Sequence, residues 1–381
     1  MSDQSDDIKG PIPIALDVSA MTSRVRSGVQ LYTEGIFTEL SRRPQDVSVR
    51  VFHVTKPFKR AEVHSSVISG SKAYLHPSLA RVGETVITHS TDNKFLYKAG
   101  KINIATVHDV AIFLPENNIP GFTSSSFREK QYRVLERMCD KADHIIAVSE
   151  TTKAALSGLL SVEPARITVA YQGIERPAEE SEPDEAAMRK FGLRPKTYLL
   201  FVGVISIRKN LLGLIQAYER SQARRDLKLV LVGPMSMGSD QIVACGERLG
   251  SSVVFTDSVN DAMLAALYRN AAAFVFSTYY EGFGRPILEA MSFGLPVLIG
   301  NRGAASEIAG GLAVEADPFS VESIADGIDA VLDAEFDPAA ARARAAEFSW
   351  RRCGDKLVHL YRKLSGQDPS PLADVLDMSA E

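Results

Sequence analysis

Two glutamates flank a glycine-broken segment in the second half of the chain, YYEGFGRPILEAMSFG (279–294), with seven residues between Glu281 and Glu289. Pro286 favours the first turn of a helix and Gly294 its C-terminal end, which predicts Glu281 in the preceding loop and Glu289 one turn into the helix. Backbone N–H groups at a helix start favour an anion or a hydroxyl-rich ligand. A carboxylate there repels phosphate but can accept hydrogen bonds from neighbouring hydroxyls, as on a ribose. A solvated Glu281 and a Glu289 that complements the helix dipole explain the spacing equally well.

Two adjacent cations follow an apolar run in YLLFVGVISIRKN (198–210). Arg208 and Lys209 are expected in a loop at the end of a strand, just before a helix. Positive charge at a helix start opposes the helix dipole, so this pair is poorly placed for stability alone. It is well placed to hold a diphosphate, the alternative being a solvated basic pair.

Composition limits the class of protein. The chain has 381 residues, 45% of them apolar and 24% charged, with a net charge of -4, which suggests two soluble domains and no nucleic-acid partner. No apolar run approaches the ~20 residues of a membrane span, and the acidic N-terminus does not resemble a signal peptide. The three scattered cysteines fit a reducing compartment and form no metal cluster. We therefore predict a cytoplasmic protein without a bound metal or cofactor.

Short runs rich in Val, Ile and Leu alternate with amphipathic segments along the whole chain. This pattern predicts an α/β protein with two doubly wound parallel sheets, each covered by helices on both faces. The predicted strands are 11–18, 47–54, 85–90, 102–108, 144–149, 166–171, 198–204, 227–233, 252–256, 273–277, 296–300 and 312–316. The helices predicted by number are 28–43, 123–141, 151–160, 209–224 and 261–271.

An acidic, proline-rich stretch divides the two halves. We predict a first domain over 1–178, a linker over 179–196 and a second domain over 197–348, with the C-terminal helix in 349–381 completing the first domain. Ligands of open parallel sheets bind at the carboxyl ends of the strands, so we expect the site between those ends of the two domains.

Taken together, these segments resemble the retaining glycosyltransferases of family 4, which have the two-domain GT-B fold of Rossmann-like units. The resemblance covers nearly the whole chain and depends on the order and spacing of its motifs. Besides Glu281 and Glu289, the matching segments are GVQLYTEGIFTEL (28–40), TVHDVAIFLPE (106–116), AVSETTKAALSGLLSVEPARITVAYQGI (147–174), VGVISIRKN (202–210), FTDSVNDAMLAALYRNAAAFVFST (255–278) and FSWRRCGDKLVHLYRKL (348–364).

The resemblance implies roles for the second domain, the nucleotide-sugar-binding one. Glu281 is expected at the donor sugar as a catalytic residue, and Glu289 at the ribose of the nucleotide. Arg208 and Lys209 are expected to neutralise the departing diphosphate, while the backbone near Val259 borders the base. The backbone lining the sugar and diphosphate is expected to be that of Gly282, Phe283, Gly284 and Arg285.

The resemblance also implies roles for the first, acceptor-binding domain. His108 is expected beside the reacting sugar as the second catalytic residue, and Gly28 to bring a loop to the site. His89 and Asp17 end predicted strands; an acceptor contact and a structural role are equally consistent with His89. The chain departs from the family at Val204, where many members have an arginine, and Arg208 is expected to serve instead.

The expected reaction is transfer of a hexose, with mannose from GDP-mannose as the best match, to a glycan or lipid-linked acceptor in surface polysaccharide or lipopolysaccharide synthesis. The chain has no Asp-x-Asp metal motif, so retention of configuration without a metal is expected. A GT-B sugar-nucleotide epimerase and a non-catalytic nucleotide-binding partner of a transferase remain alternatives. A nicotinamide dehydrogenase would need G-x-G-x-x-G after a first strand, which neither half has.

Basic residues in the first half suggest contact with the inner face of the cell membrane. Such a patch adds roughly 1 kcal/mol per well-placed cation at an anionic surface, and a merely solvated surface is the alternative. The residues are Arg42, Arg43, Lys56, Lys59 and Arg60.

Overall fold

The computed structural model consists of two compact units. The first comprises Met1–Val110, Ser125–Gly173 and Phe348–Glu381, and the second Ala111–Ser124 and Ile174–Glu347. The structure describes residues 10–22, 27–54, 72–74, 85–92, 100–117, 119, 121–175, 185–236 and 238–367.

The first unit contains a parallel sheet of seven strands in the order β3-β2-β1-β4-β5-β6-β7. Its core is apolar on both faces, as parallel sheets require, with Ile14, Leu16 and Ile104 fully buried. The strands are β1 (Ile12–Asp17), β2 (Val47–Val54), β3 (Lys72–Tyr74), β4 (Ile87–Ser90), β5 (Ile102–Val107), β6 (His144–Ala147) and β7 (Ile167–Val169).

The second unit contains a parallel sheet of six strands in the order β10-β9-β8-β11-β12-β13. The strands are β8 (Tyr198–Val202), β9 (Lys228–Val232), β10 (Val253–Phe255), β11 (Ala273–Phe276), β12 (Val297–Gly300) and β13 (Val314–Ala316). The first and fourth strands of this unit are neighbours, with Phe274 opposite Leu200. The loops that follow β8 and β11 therefore emerge side by side at the carboxyl edge of the sheet.

Helices connect the strands in both units, and several begin at a serine or asparagine cap. Ser27 and Gln30 form a reciprocal capping box, and Ser149 and Asn260 each accept a backbone N–H of the following turn. The helices are α1 (Gly28–Ser41), α2 (Ser125–Lys141), α3 (Glu150–Leu160), α4 (Glu185–Lys190), α5 (Leu211–Arg220), α6 (Asp240–Glu247), α7 (Asp261–Asn270), α8 (Arg285–Ser292), α9 (Ala305–Ala309), α10 (Val321–Asp333), α11 (Pro338–Ala346) and α12 (Trp350–Leu364).

The C-terminal helix α12 packs on α1 within the first unit. A Cβ atom added to Gly35 would lie 2.2 Å from Cε2 of Trp350, and one added to Gly173 would lie 2.2 Å from the Trp350 backbone nitrogen. The single tryptophan of the chain therefore lies in a notch that two glycines leave open.

The structure differs from the expected chain organisation at two places. Residues 111–124, predicted in the first domain, belong to the second unit, where Gly121 approaches Ile207 so closely that a Cβ would lie 2.5 Å from its Cδ1 atom. The predicted helix 209–224 is divided: a 3-10 turn covers Ile207–Lys209, and Asn210 adopts a left-handed conformation before α5 begins. Asparagine tolerates that conformation, and its side-chain amide here donates to two backbone carbonyls.

Candidate active site

A buried ion pair joins the loops after β8 and β11 in the second unit. Nζ of Lys209 lies 2.5 Å from Oε1 of Glu281, and the two residues are 9% and 6% exposed. The ammonium also lies 5.2 Å from the centre of the Phe276 ring. The contacts of these two residues with different parts of a donor stay a prediction, and the structure adds the ion pair between them.

Charge holds Glu281 in its ionised form. Burial alone would raise the pKa of Glu281, but the positive charges of Lys209 and Arg208, with hydrogen bonds from Lys209 and Thr278, lower it below its ordinary value. Half-buried Arg208 adds a second positive charge beside the Lys209–Glu281 pair.

The backbone around Glu281 is fixed by the loop after β12. The Ala304 N–H donates to the Glu281 carbonyl oxygen at 2.8 Å. Gly303 has a φ of +71°, and a Cβ there would lie 2.4 Å from that same oxygen. Only glycine permits this approach, so the position of Glu281 is set by the backbone as well as by Lys209.

Helix α8 begins directly after the glycines of the E-x7-E segment. Gly284 caps it in a left-handed conformation, and Pro286 lies in its first turn, as predicted. The helix ends at Ser292 with Gly294 following at a φ of +68°. Gly282 and Phe283 are buried and connect Glu281 to this helix start, the kind of position that favours an anion.

Glu289 is held from two sides. Nε of Arg285 donates to its Oε1 at 2.8 Å, and the hydroxyl of Tyr268 donates to its Oε2 at 3.0 Å. Burial and the neighbouring Glu289 raise the pKa of Tyr268 well above its usual range, so the phenol stays a donor. The predicted role of Arg285 was through its backbone; the structure adds a side-chain contact that orients Glu289.

Val259 lies in the loop after β10, at one edge of the second sheet, and is partly exposed. This loop is anchored by the Gly233 N–H, which donates to the Asp257 carbonyl at 3.1 Å. Two strands, β9 and β8, separate β10 from β11. The residues predicted for base, diphosphate and sugar thus follow one another along a single sheet edge.

His108 follows β5 in the first unit. Its Nε2 lies 2.8 Å from the Thr91 carbonyl oxygen, and its ring meets Tyr32 edge-on at 4.6 Å. A carbonyl only accepts, so Nε2 carries the proton and Nδ1 is the acceptor nitrogen of the neutral ring. Burial lowers the pKa of His108, although the Thr91 hydrogen bond and the charges of Asp92 and Asp109 oppose the shift.

The other first-unit candidates have structural positions. His89 is fully buried between Tyr361 and Thr106, and burial lowers its pKa to about 3. Asp17 accepts two hydrogen bonds from Ser19 in the turn after β1. Gly28 starts α1, and a Cβ there would meet no described atom within 4 Å.

The predicted basic surface is only partly described. Arg43 pairs with Glu39 and Asp355 and is largely buried, so it is not the exposed cation that the sequence suggested. Arg42 remains exposed. Lys56, Lys59 and Arg60 lie outside the described residues.

Two further observations concern the described part of the chain only. It contains no helix long and apolar enough to cross a membrane. It also contains no group of three or more His, Cys, Asp or Glu side chains arranged to hold a metal ion.

Two family models match the chain. The model described as "Glycosyltransferase Family 4" matches residues 26–176, and the model described as "Glycosyl transferases group 1" matches residues 184–348. The matches fall in both units and include His108 in the first match and Glu281 in the second.

Individual relatives agree with the family models. O-antigen chain mannosyltransferase B of Escherichia coli is 31% identical over 272 residues, which is 68% of this chain and 70% of that protein. The D-inositol 3-phosphate glycosyltransferase of Gordonia bronchialis is 29% identical over 281 residues, covering 68% of this chain and 60% of that protein.

A solved structure shows the same fold. The sucrose-phosphate synthase of Thermosynechococcus elongatus superposes with a TM-score of 0.70 at 18% identity, covering 93% of this chain and 99% of that one. The two parallel-sheet units have the GT-B architecture expected from the sequence. The chain therefore belongs to the family 4 glycosyltransferases.

Proposed function

We propose that this chain transfers a hexose, with mannose from GDP-mannose as the best candidate, to a glycan or lipid-linked acceptor and retains the donor's anomeric configuration. The proposed setting is surface polysaccharide or lipopolysaccharide synthesis. One observation carries the proposal: the buried Lys209–Glu281 pair, with Arg208 beside it, lies where the loops after β8 and β11 meet the start of α8.

The charges of this site suit cleavage of a sugar–phosphate bond. As the bond breaks, positive character builds on the sugar and negative charge on the leaving diphosphate. Arg208, Lys209 and the first N–H groups of α8 supply fixed positive charge for the diphosphate without a metal ion. The Glu281 carboxylate, kept ionised by its low pKa, is available to the sugar.

Glu289 is suited to binding the ribose. Arg285 and Tyr268 each occupy one of its oxygens, which fixes the carboxylate while leaving lone pairs for vicinal hydroxyls. This contact exists in the ground state and in the transition state alike. It should therefore contribute to donor affinity and little to the rate of the chemical step.

His108 contributes as a neutral ring. Its Nε2–H donates to the Thr91 carbonyl, which fixes the neutral tautomer whose Nδ1 is an acceptor, the form that would polarise a sugar hydroxyl. A protonated imidazole could not do this. The lowered pKa of His108 keeps the ring in the required form at neutral pH.

Mannose is supported by the relative from Escherichia coli, whose name specifies a mannosyltransferase of the O-antigen chain. The relative from Gordonia bronchialis is named for a different acceptor, D-inositol 3-phosphate, so membership of the family leaves the acceptor open. Contact with the inner face of the membrane stays a prediction, and Arg42 is the described residue on which it now depends.

A donor screen with product analysis tests the proposal. The protein is incubated with GDP-mannose, GDP-fucose, UDP-glucose, UDP-galactose and UDP-N-acetylglucosamine, with and without a panel of mannosides and with EDTA present. We expect nucleoside diphosphate release and a new glycosidic bond of retained configuration from one donor. A changed sugar without acceptor would indicate an epimerase; binding without turnover would indicate a non-catalytic partner. Inversion, or activity lost to EDTA and restored by a divalent ion, would overturn the proposed mechanism.

A further inference from the structure

Three residues at the carboxyl edge of the second sheet form a surface to which no role has been assigned above. Tyr279 follows β11, Arg302 follows β12 and Phe319 follows β13. The Tyr279 and Phe319 rings lie 5.1 Å apart at 36°, and the Arg302 guanidinium lies 5.8 Å from the centre of the Phe319 ring. We call these three residues the aromatic platform.

Two of the three platform residues, Phe319 and Arg302, are exposed, and Tyr279 is partly exposed. Phe319 is 45% exposed, whereas most aromatic side chains of this unit lie in the core. Arg302 is exposed too, and within the described residues its one recorded interaction is with the Phe319 ring. The Phe319 ring and the Arg302 guanidinium are thus both accessible to a ligand and lie next to each other.

The loop that carries Phe319 is held by hydrogen bonds. The Phe319 N–H donates to Oδ1 of Asp317 at 3.0 Å, and the Ser320 N–H donates to the Asp317 carbonyl at 3.1 Å. The preceding Pro318 carbonyl accepts the buried side-chain amide of Asn210 at 2.7 Å. The platform is therefore preorganised and tied to the residue that follows Lys209.

The platform adjoins Glu281. Tyr279 precedes it by two residues, and Arg302 is followed by Gly303, which packs on the Glu281 backbone. In the strand order, the platform follows β11, β12 and β13, whereas Val259 follows β10 at the opposite edge. A donor whose base lies near Val259 and whose diphosphate lies near Arg208 thus reaches Glu281 from one side, and the platform lies on the other.

The chemistry of the platform fits a neutral sugar ring. The C–H face of a hexose is apolar and packs on an aromatic ring. The hydroxyls at its rim can accept hydrogen bonds from a guanidinium, and they can donate to or accept from a phenol. We infer that the aromatic platform binds a hexose unit of the acceptor glycan and presents the acceptor to the site at Glu281. The assignment to the acceptor depends on the proposed transfer reaction, but the binding of a sugar ring does not.

Saturation-transfer NMR tests this inference without requiring turnover. Methyl α-glycosides of mannose, glucose, galactose and N-acetylglucosamine, and α-mannobiose, are titrated against the full chain with GDP or UDP present. We expect ring protons of at least one glycoside to receive saturation, and its affinity to fall about fivefold in Phe319→Ala, the size of one aromatic contact. Arg302→Ala should weaken the same ligand, and Arg302→Lys should restore part of the loss.

Phe127→Ala is the matched control, because Phe127 on α2 of the first unit is 48% exposed. That variant should bind glycosides and nucleotides as the parent does. The inference is overturned if no glycoside depends on Phe319, or if Phe319→Ala weakens GDP or UDP instead, which would make the platform part of the nucleotide site. If glycoside binding depends on Phe319 but the protein turns over no donor, the sugar site stands and the proposed function is refuted.

Discussion

Removing the charge of Lys209 should change both the stability and the chemistry of the second unit, in ways that can be separated. At 2.5 Å the pair attracts by roughly 7 kcal/mol at an effective dielectric constant of about 20. Desolvation of two buried ions costs several kcal/mol each, so the pair as a whole contributes little net stability. Lys209→Met, however, leaves the Glu281 carboxylate buried beside Arg208 alone.

The loss of unfolding free energy in Lys209→Met has an upper limit, which is set by protonation of Glu281. Glu281 can avoid buried charge by taking up a proton, which at pH 7 costs about 3.4 kcal/mol relative to its ordinary pKa of 4.5. Lys209→Met should therefore reduce the free energy of unfolding by up to about 3.4 kcal/mol at pH 7. The midpoint of thermal unfolding should fall on the order of 10 °C.

The contribution of Glu281 to the free energy of unfolding should depend on pH with opposite signs in the parent and in Lys209→Met. In the parent the pKa of Glu281 is lowered, so its stabilising contribution is present above the ordinary pKa and is lost as pH falls through the lowered value. In Lys209→Met burial dominates and the pKa is raised, so the destabilisation grows as pH rises above the ordinary value. Calorimetric melting from pH 8 down to well below pH 4.5 measures both slopes, that of Lys209→Met above the ordinary pKa and that of the parent below it. Parallel profiles for the parent and Lys209→Met would refute the reasoning.

The double variant Lys209→Met/Glu281→Gln separates folding from catalysis. With both charges removed, stability should return to within about 1 kcal/mol of the parent, since the pair contributes little net stability. The kcat should remain reduced on the order of a hundredfold, because the ammonium at the leaving diphosphate and the carboxylate at the sugar are both missing. A double variant that is stable and fully active would show that this pair does not take part in the reaction.

Three further predictions concern other parts of the site and fold. Glu289→Gln should raise the donor KM several-fold with kcat nearly unchanged. The control Glu129→Gln, which breaks an exposed ion pair of the same i,i+4 spacing, should change neither constant. A kcat effect larger than the KM effect would contradict the ribose assignment. His108→Ala should lower kcat on the order of a hundredfold. Because burial lowers the pKa of His108, the kcat of the parent should show no loss on acidification with a midpoint at or above pH 6.5. A pH–rate profile with such a midpoint would contradict a neutral ring. Gly35→Ala should destabilise the first unit by about 2 kcal/mol and shift the fluorescence emission of the single tryptophan. The control Gly158→Ala, in α3 with open space around it, should do neither. Equal melting curves for the two variants would contradict the packing of α12.

Much of the fold could be predicted because its signals are local. Each of the twelve expected strand segments contains a strand, since runs such as Tyr198–Val202 and Ala273–Phe276 are apolar on both faces. The start of α8 one residue before Pro286 and its end before Gly294 follow from the conformational limits of those residues. Strand β3 was not expected, because it is only three residues long and follows no extended apolar run.

The contacts of the site could not be predicted, because they depend on which strands become neighbours. Lys209 and Glu281 are 72 residues apart and meet only because β11 lies beside β8, with β9 and β10 on the other side. The hydroxyl of Tyr268 reaches Glu289 from α7, which the spacing of apolar residues in that helix does not reveal. Tyr268 is the residue of the site that sequence reasoning missed.

Turnover by the charge-free double variant tests the central claim most directly. Nucleoside diphosphate release is followed by phosphorus NMR, with the best donor and acceptor, for the parent, Lys209→Met/Glu281→Gln and the control Lys196→Met. Lys196 precedes β8 at the opposite edge of the same sheet and donates to the Ala271 carbonyl. We expect turnover by the parent and Lys196→Met, and a loss on the order of a hundredfold in the equally folded double variant. Parental turnover by the double variant would contradict the assignment of this site to the transfer reaction.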